Sequence, residues 1–195
     1  MCLMLFQAEI KSMNWRTYKL KINKNPVQYY VEGETEKVFI EQIKNKYVLS
    51  GKIDVLNILQ NEIKNSRLMN IKPDTTIVLI FDTDIEEEGL LKKLENNIKI
   101  LRSSKHVKEI IIIPQVLNFE DELVFATNIK TIEKLIPNCT KKEFKSKFIK
   151  LGSKIVAMHE KYGFNTDKLW SRSVNKDNIF YIINKNEVMS GKIKI

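Results

Sequence analysis

The sequence predicts an α/β protein with a mostly parallel sheet and helices on both faces. Two apolar runs, Val27–Val31 and Ile77–Phe81, are too short for helices and are typical of buried strands in a parallel sheet. Each run ends in carboxylates, with Glu32 after the first and Asp82 and Asp84 after the second. Segments with helical periodicity alternate with such runs along the chain, and this alternation predicts β-α-β units.

The first part of the chain is predicted to alternate strands and helices. Trp15–Ile22 alternates apolar and basic residues, which is typical of a half-buried edge strand. Apolar residues recur about every four positions in Glu34–Val48, and this spacing predicts a helix. We expect a short strand at Ile53–Leu56 and a second helix at Asn57–Leu68.

The central part continues the same alternation. Thr75–Phe81 is predicted to be a buried strand, and Glu86–Arg102 is predicted to be a helix with its acids early and its bases late. Val107–Val116 is predicted to be another buried strand, interrupted by Pro114. A helix is predicted to begin in Asn118–Phe125.

The last third is predicted to be mainly helical. Thr131–Ile136, Lys141–Leu151 and Ser153–Tyr162 have the pattern of short helices. No repeat or low-complexity linker separates this part from the sheet, so we expect it to pack on the sheet.

Composition suits one domain with a substantial core and adds a charge signal. The chain has 195 residues, of which 43% are hydrophobic and 29% charged, with a net charge of +9. Residues 1–127 carry 18 Lys/Arg and 18 Asp/Glu, whereas 128–195 carry 15 and 6, so the whole excess lies in the last third. A concentrated basic region is expected of a polyanion binder, but a lysine-rich solvated surface is an equally good interpretation.

The sequence favours a cytoplasmic protein with no membrane association. No apolar run approaches the roughly 20 residues that a membrane span requires. Met1–Phe6 is apolar, but charged residues follow it and no cleavage-site pattern appears. Cys2 and Cys139 are isolated, which fits a reducing compartment.

The carboxylates at the strand ends are the candidate functional residues. Asp82 and Asp84 are two positions apart, so in extended chain they point the same way, with Cα atoms roughly 6–7 Å apart. If the strand before Glu32 lies beside the strand before Asp82, three carboxylates converge at one sheet edge. Oxygen ligands of this kind suit Mg²⁺, which also binds phosphate.

Two motifs resemble the signatures of the Toprim domain, which occurs in topoisomerases, bacterial primases, OLD-family nucleases and RloB-like defence proteins. The motifs are E-G-x-T-E at Glu32–Glu36 and D-x-D at Asp82–Asp84, with 50 residues between Glu32 and Asp82. The string V-E-G-E-T-E-K is most similar to the OLD and RloB-like branch. The resemblance covers about Val27–Thr127. We therefore expect an N-terminal arm and edge strand at 1–23, a Toprim-like catalytic domain at 24–127 and a basic helical extension at 128–195 that packs on it.

The resemblance implies a metal-dependent nuclease that cuts DNA or RNA, in a phage-defence context. Glu32 would act at the scissile phosphate as general acid/base or metal ligand, and Asp82 and Asp84 would bind Mg²⁺ or Mn²⁺. Gly33 would let the backbone approach the phosphate. The implied partner is nucleic acid. The need for a separate ATPase partner and the oligomeric state stay open.

Further candidates have ordinary structural interpretations beside the functional ones. Glu36 is a possible metal ligand or a first-turn helix acid, and Glu120, with Asp121, is a possible second-metal ligand or a helix-opening acid. The last third offers candidate contacts to nucleic acid, namely Lys142, Lys145, Lys150 and Arg172.

Two other functions are compatible with the same residues. One is a catalytically silent Toprim-like module that binds nucleic acid or a partner protein. The other is a D-x-D phosphatase or nucleotidyl enzyme. The phosphatase pattern places Thr two residues after the second Asp, where this chain has Glu86.

Overall fold

The protein has a four-stranded, all-parallel sheet. The computed structural model describes residues 25–85, 87, 89–181 and 190–194, so the predicted strand Trp15–Ile22 lies outside the described residues. The strand order is β2-β1-β3-β4. The strands are β1 (Val27–Val31), β2 (Lys52–Val55), β3 (Thr75–Asp82) and β4 (Val107–Gln115). The predicted parallel sheet is therefore confirmed.

Helices cover both faces of this sheet. The α-helices are α1 (Glu34–Ile43), α2 (Asn65–Met69), α3 (Leu90–Ser103), α4 (Phe119–Phe125), α5 (Phe144–Leu151) and α6 (Lys154–Lys161). Short 3₁₀ helices lie at Ile132–Lys134, Lys141–Glu143 and Ser190–Lys192. Within the described residues no helix is long and apolar enough to cross a membrane.

Alternate residues of the strands pack into two separate apolar cores. On one face, Tyr29 and Val78 pack in a cluster with Phe39 of α1 and Phe148 of α5. On the other face, side chains such as Leu79 pack in a cluster that includes residues of α3. Side chains alternate across a strand, so neighbouring strand residues serve opposite cores, as expected for a sheet covered on both sides.

The basic last third packs on the sheet through the first of these cores. Leu135, Phe144, Ile155 and Trp170 are all buried in the cluster that contains Tyr29. Burial of apolar side chains stabilises a fold by roughly 1.5–3 kcal/mol for each large residue. The lysines of this region are therefore held on a fixed scaffold beside the sheet.

The first predicted helix is shorter than expected. α1 ends at Ile43 rather than Val48. Asn45 adopts a left-handed conformation with φ 68°, and its backbone N–H donates to the Val48 carbonyl. Asn tolerates this conformation better than most residues and commonly terminates helices.

The second predicted helix, Asn57–Leu68, is mostly wrong. The Asn57 side-chain oxygen accepts from the backbone N–H groups of Leu59 and Gln60, which forms a local turn. Buried Asn97 accepts from the Ile63 N–H at 2.9 Å and fixes the next part of the loop. Such side-chain bonds compete with helix formation. Only α2 is helical here.

Three smaller predictions also need correction. β4 runs through Pro114 without interruption, because β4 is an edge strand that tolerates a missing N–H. α3 begins at Leu90, after Gly89 with φ 98°, and Glu86, where the helix was predicted to begin, lies outside the described residues. Only Ile132–Lys134, a 3₁₀ helix, forms within the predicted helix Thr131–Ile136.

Candidate functional site

The sheet places Glu32 beside Asp82. β1 and β3 are parallel neighbours in the sheet, so the residues that follow them lie at the same edge. The Glu32 Oε2 atom accepts a hydrogen bond from the Asp82 backbone N–H at 3.1 Å. Its Oε1 atom accepts from the Asn57 side-chain amide at 2.7 Å. Both oxygens of this carboxylate are therefore oriented by neighbouring groups.

Glu36 folds back over the start of α1. Its side chain is buried, with 6% of the residue exposed. A Cβ atom added to Gly33 would lie 3.0 Å from the Glu36 Oε2 atom. Gly33 itself has an extended backbone with φ −142°, which any residue adopts. Glycine here leaves room for the Glu36 carboxylate, and this steric role is one that the sequence did not reveal.

Burial and mutual repulsion disfavour negative charge in this group of acids. Burial, as the largest cause, and the nearby charges of Glu36, Glu32, Asp84 and Glu120 together raise the pKa of Asp82 to about 9. Burial is also the main cause that raises the pKa of Glu36 to about 7. The pKa of Glu32 is raised by burial and by Asp84. A cation bound beside these acids would stabilise their ionised forms.

One atom of the group has no protein partner among the described residues. The Asp82 Oδ1 atom is buried and accepts no hydrogen bond within this part of the chain. A buried polar atom without a partner costs roughly 1–3 kcal/mol, so native structures contain few of them. An orphaned carboxylate oxygen among other acids is a plausible ligand for a hard cation.

Lys145 of α5 supplies positive charge to these acids. Its ammonium group lies 3.6 Å from the Glu120 carboxylate. Burial, the largest single influence, lowers the pKa of Lys145, but the attraction of Glu120, Glu36 and Asp82 outweighs it and the pKa is raised. Lys145 was predicted to contact nucleic acid, and the structure places it against the acids.

Asp82, Asp84 and Glu120 open into a cleft of about 600 Å³ that is lined by residues of both charges. The acidic lining residues are Asp82, Asp84, Glu120, Asp121 and Glu133. The basic lining residues are Lys130, Lys141, Lys142 and Lys145. Asp82 and Asp84 thus face the same cleft as two of the lysines that the sequence singled out. Lys150 is exposed on α5 and is not among the residues that line this cleft.

Arg172 has a structural role that the sequence did not predict. Its Nη2 atom donates to the Glu122 carboxylate at 2.8 Å and to the Val116 carbonyl at 2.9 Å. Glu122 is fully buried, so this is a buried ion pair. The guanidinium also stacks on the Phe125 ring. The predicted contact of Arg172 with nucleic acid stays a prediction beside this structural role.

Backbone-directed hydrogen bonds tie the D-x-D loop to its neighbours. Thr83 donates from its hydroxyl to the Gln115 carbonyl at 2.8 Å and from its N–H to the Leu117 carbonyl at 2.8 Å. The Asn178 amide donates to the Thr83 carbonyl at 3.0 Å. No sequence motif indicated Asn178. Asn57 follows a strand end, and the rule that identified Glu32 applies to it as well.

The residues suit a divalent metal by chemistry but do not form a ready ligand set. Carboxylates and the orphaned Asp82 Oδ1 atom are appropriate donors for Mg²⁺ or Mn²⁺. However, no three His, Cys, Asp or Glu side chains within the described ranges are grouped so as to hold a metal ion. Metal binding would therefore require the acidic side chains to change rotamer.

Comparisons of the chain with protein-family models, curated proteins and solved structures returned no significant match. The assignment of an α/β fold with a parallel sheet therefore rests on the structure alone. The Toprim resemblance stays a prediction that rests on the two motifs.

Proposed function

We propose that the chain is a metal-dependent nuclease of Toprim type that hydrolyses phosphodiester bonds in DNA or RNA. The observation that carries this proposal is the half-buried carboxyl of Asp82, whose buried Oδ1 atom has no partner among the described residues, among other acids at the carboxyl end of a parallel sheet. Such an arrangement opposes folding unless a cation or protons neutralise it. The phage-defence context and a separate ATPase partner rest on the resemblance alone.

The acids divide into metal ligands and a proton carrier. Asp82 and Asp84, with Glu36 or Glu120, would hold Mg²⁺ or Mn²⁺. A bound ion of this kind neutralises charge that develops on the attacking and leaving oxygens of a phosphodiester. Glu32 would accept a proton from the attacking water, and burial, which raises its pKa, makes the carboxylate a stronger base. Asn57 and the Asp82 N–H orient the carboxylate.

The basic residues that line the cleft would supply the affinity for substrate. Acids alone repel phosphate, so a nucleic acid must be held by cations nearby. Lys130, Lys141 and Lys142 line the same cleft as Asp82 and Asp84. They would bind phosphates that flank the scissile bond. Lys145, which lies beside Glu120, would contact the scissile phosphate once a metal ion binds the acids.

The test is cleavage of end-labelled single- and double-stranded DNA and RNA by the purified chain. We expect cleavage with Mg²⁺ or Mn²⁺, none in EDTA, and none by an Asp82→Asn variant that retains the wild-type circular dichroism spectrum. Equal cleavage by the variant, or cleavage in EDTA, would contradict the proposal.

A second candidate is a nucleic-acid-binding module without catalysis. Both Glu32 oxygens already accept hydrogen bonds, and the described acids form no ready ligand set, which favours this alternative. Such a module would bind oligonucleotides equally well in EDTA and Mg²⁺ and would leave them intact with every divalent ion. Turnover of small phosphate monoesters would instead favour the D-x-D phosphatase.

A further inference from the structure

Leu117 combines two unfavourable features beside the candidate site. Its φ of 65° lies in the left-handed region, which is an outlier for a bulky non-glycine residue. The residue is also 50% exposed, so its side chain gains little from burial. An exposed leucine alone is ordinary, but a leucine kept in strained backbone without the benefit of burial points to a role outside folding.

Thr83 holds Leu117 in this conformation. The Thr83 N–H donates to the Leu117 carbonyl at 2.8 Å, and the Leu117 N–H donates to the Thr83 hydroxyl at 3.2 Å. Thr83 lies between Asp82 and Asp84 in the chain. The backbone of Leu117 is therefore fixed relative to the acids. Ile85, the residue after Asp84, is also an exposed apolar residue.

We propose that Leu117 and Ile85 form an apolar lip that contacts the face of an unpaired nucleobase next to the phosphate bound in the cleft, an inference that rests on the function proposed above. In a single strand, each phosphate is joined through its sugar to a base with an apolar face. Leu117 directly precedes Asn118 and Ile85 directly follows Asp84, and both of these neighbours line the cleft with its basic residues, so a base attached to a bound phosphate would meet the two apolar side chains. Two side chains make too small a patch for a stable protein interface.

The test compares wild type with a Leu117→Asn variant on two single strands in EDTA buffer. One strand is an oligothymidylate, and the other has the same length and abasic sites throughout. Asn tolerates positive φ, so the melting temperature should not fall. Loss of roughly 50 Å² of apolar contact corresponds to an increase of about eightfold in Kd. We expect this increase for the oligothymidylate and no increase for the abasic strand.

Met69 offers a matched control, because it is 83% exposed and lies on α2. The next residue, Asn70, lines a pocket with the first residues of β1 and β3, whereas the acids lie at the opposite ends of these strands. Met69→Asn should change neither Kd. Equal weakening for both strands, no preference of wild type for bases, or a lower melting temperature of Leu117→Asn would overturn the proposal. If wild type prefers the strand with bases but shows no metal-dependent cleavage, the nuclease proposal is refuted and the proposed base contact stands. Absence of all nucleic-acid binding would refute both.

Discussion

Asp82→Asn should stabilise the protein at neutral pH while it removes the response to metal. The folded pKa of Asp82 is about 9, against an ordinary value of 3.8, so ionisation of this carboxyl opposes folding. Asparagine has nearly the same shape and carries no charge. The substitution therefore removes an electrostatic penalty and leaves the packing of the site intact.

The size of the effect follows from the two pKa values. Between pH 3.8 and pH 7 the penalty reaches roughly 4 kcal/mol at 1.36 kcal/mol per pH unit. Asp82 keeps some access to solvent, so we take about half of this, roughly 2 kcal/mol. For a chain of this length that corresponds to a rise in Tm of about 4–8 °C.

The pH dependence of the gain has a definite sign. A raised carboxyl pKa leaves folding unaffected below the unfolded value and penalises it increasingly up to the folded value. The advantage of Asp82→Asn should therefore be absent near pH 4, clear at pH 7 and larger near pH 9. Thermal melts followed by circular dichroism across this range measure it.

Metal ions should reverse the order of stability. Mn²⁺ at about 100 times its Kd stabilises a binding protein by about 2.7 kcal/mol, and only wild type has the complete acid set. Asp74, which lies at the other end of the β3 strand, provides the control, since Asp74→Asn should leave the Tm and its metal response nearly unchanged. A loss of stability in Asp82→Asn at pH 7 would show that ionisation of Asp82 does not oppose folding. Equal Mn²⁺ responses in both proteins would show that Asp82 does not bind the metal ion.

Three other predictions test separate parts of the structure. Lys142→Glu should weaken oligonucleotide binding and lower the slope of log Kobs against log salt by roughly 0.7–0.9. Lys150→Glu, which lies outside the cleft lining, should change this slope little. Equal effects of the two substitutions would show that the cleft does not bind the oligonucleotide. Arg172→Ala should cost about 3–5 kcal/mol in urea unfolding because it leaves Glu122 buried and unpaired, and a cost below 1 kcal/mol would show that the ion pair is dispensable. Gly33→Ala should cost only about 1 kcal/mol, since its φ suits alanine, yet slow cleavage about ten- to a hundredfold by displacing a carboxylate; unchanged cleavage would exclude that role.

The parallel sheet and the position of the acids were predictable because they depend on local, regular features. Short apolar runs fixed the strands, and the rule that ligands bind beyond strand ends singled out Glu32, Asp82 and Asp84. The motif at Glu32–Glu36 added Glu36, which the structure places among these acids. Periodicity and strand-end chemistry can be read without any knowledge of long-range contacts.

Features that depend on contacts between distant residues were not predictable. Arg172 reads as an exposed cation, and only the fold shows that it neutralises Glu122, which lies 50 residues earlier in the chain. The loop after β2 reads as a helix until Asn97 supplies its hydrogen bonds from α3. The steric reason for Gly33 depends on the rotamer of Glu36. Each feature is decided by packing partners that no local window contains.

The most direct test of the central claim is a crystal structure of the protein soaked with Mn²⁺, with anomalous scattering used to locate the ion. We expect an anomalous peak bound by Asp82 and Asp84 together with Glu36 or Glu120, and a changed rotamer for at least one of these side chains. An anomalous map with no peak at this sheet edge, or with Mn²⁺ bound only elsewhere, would rule out the proposed metal site.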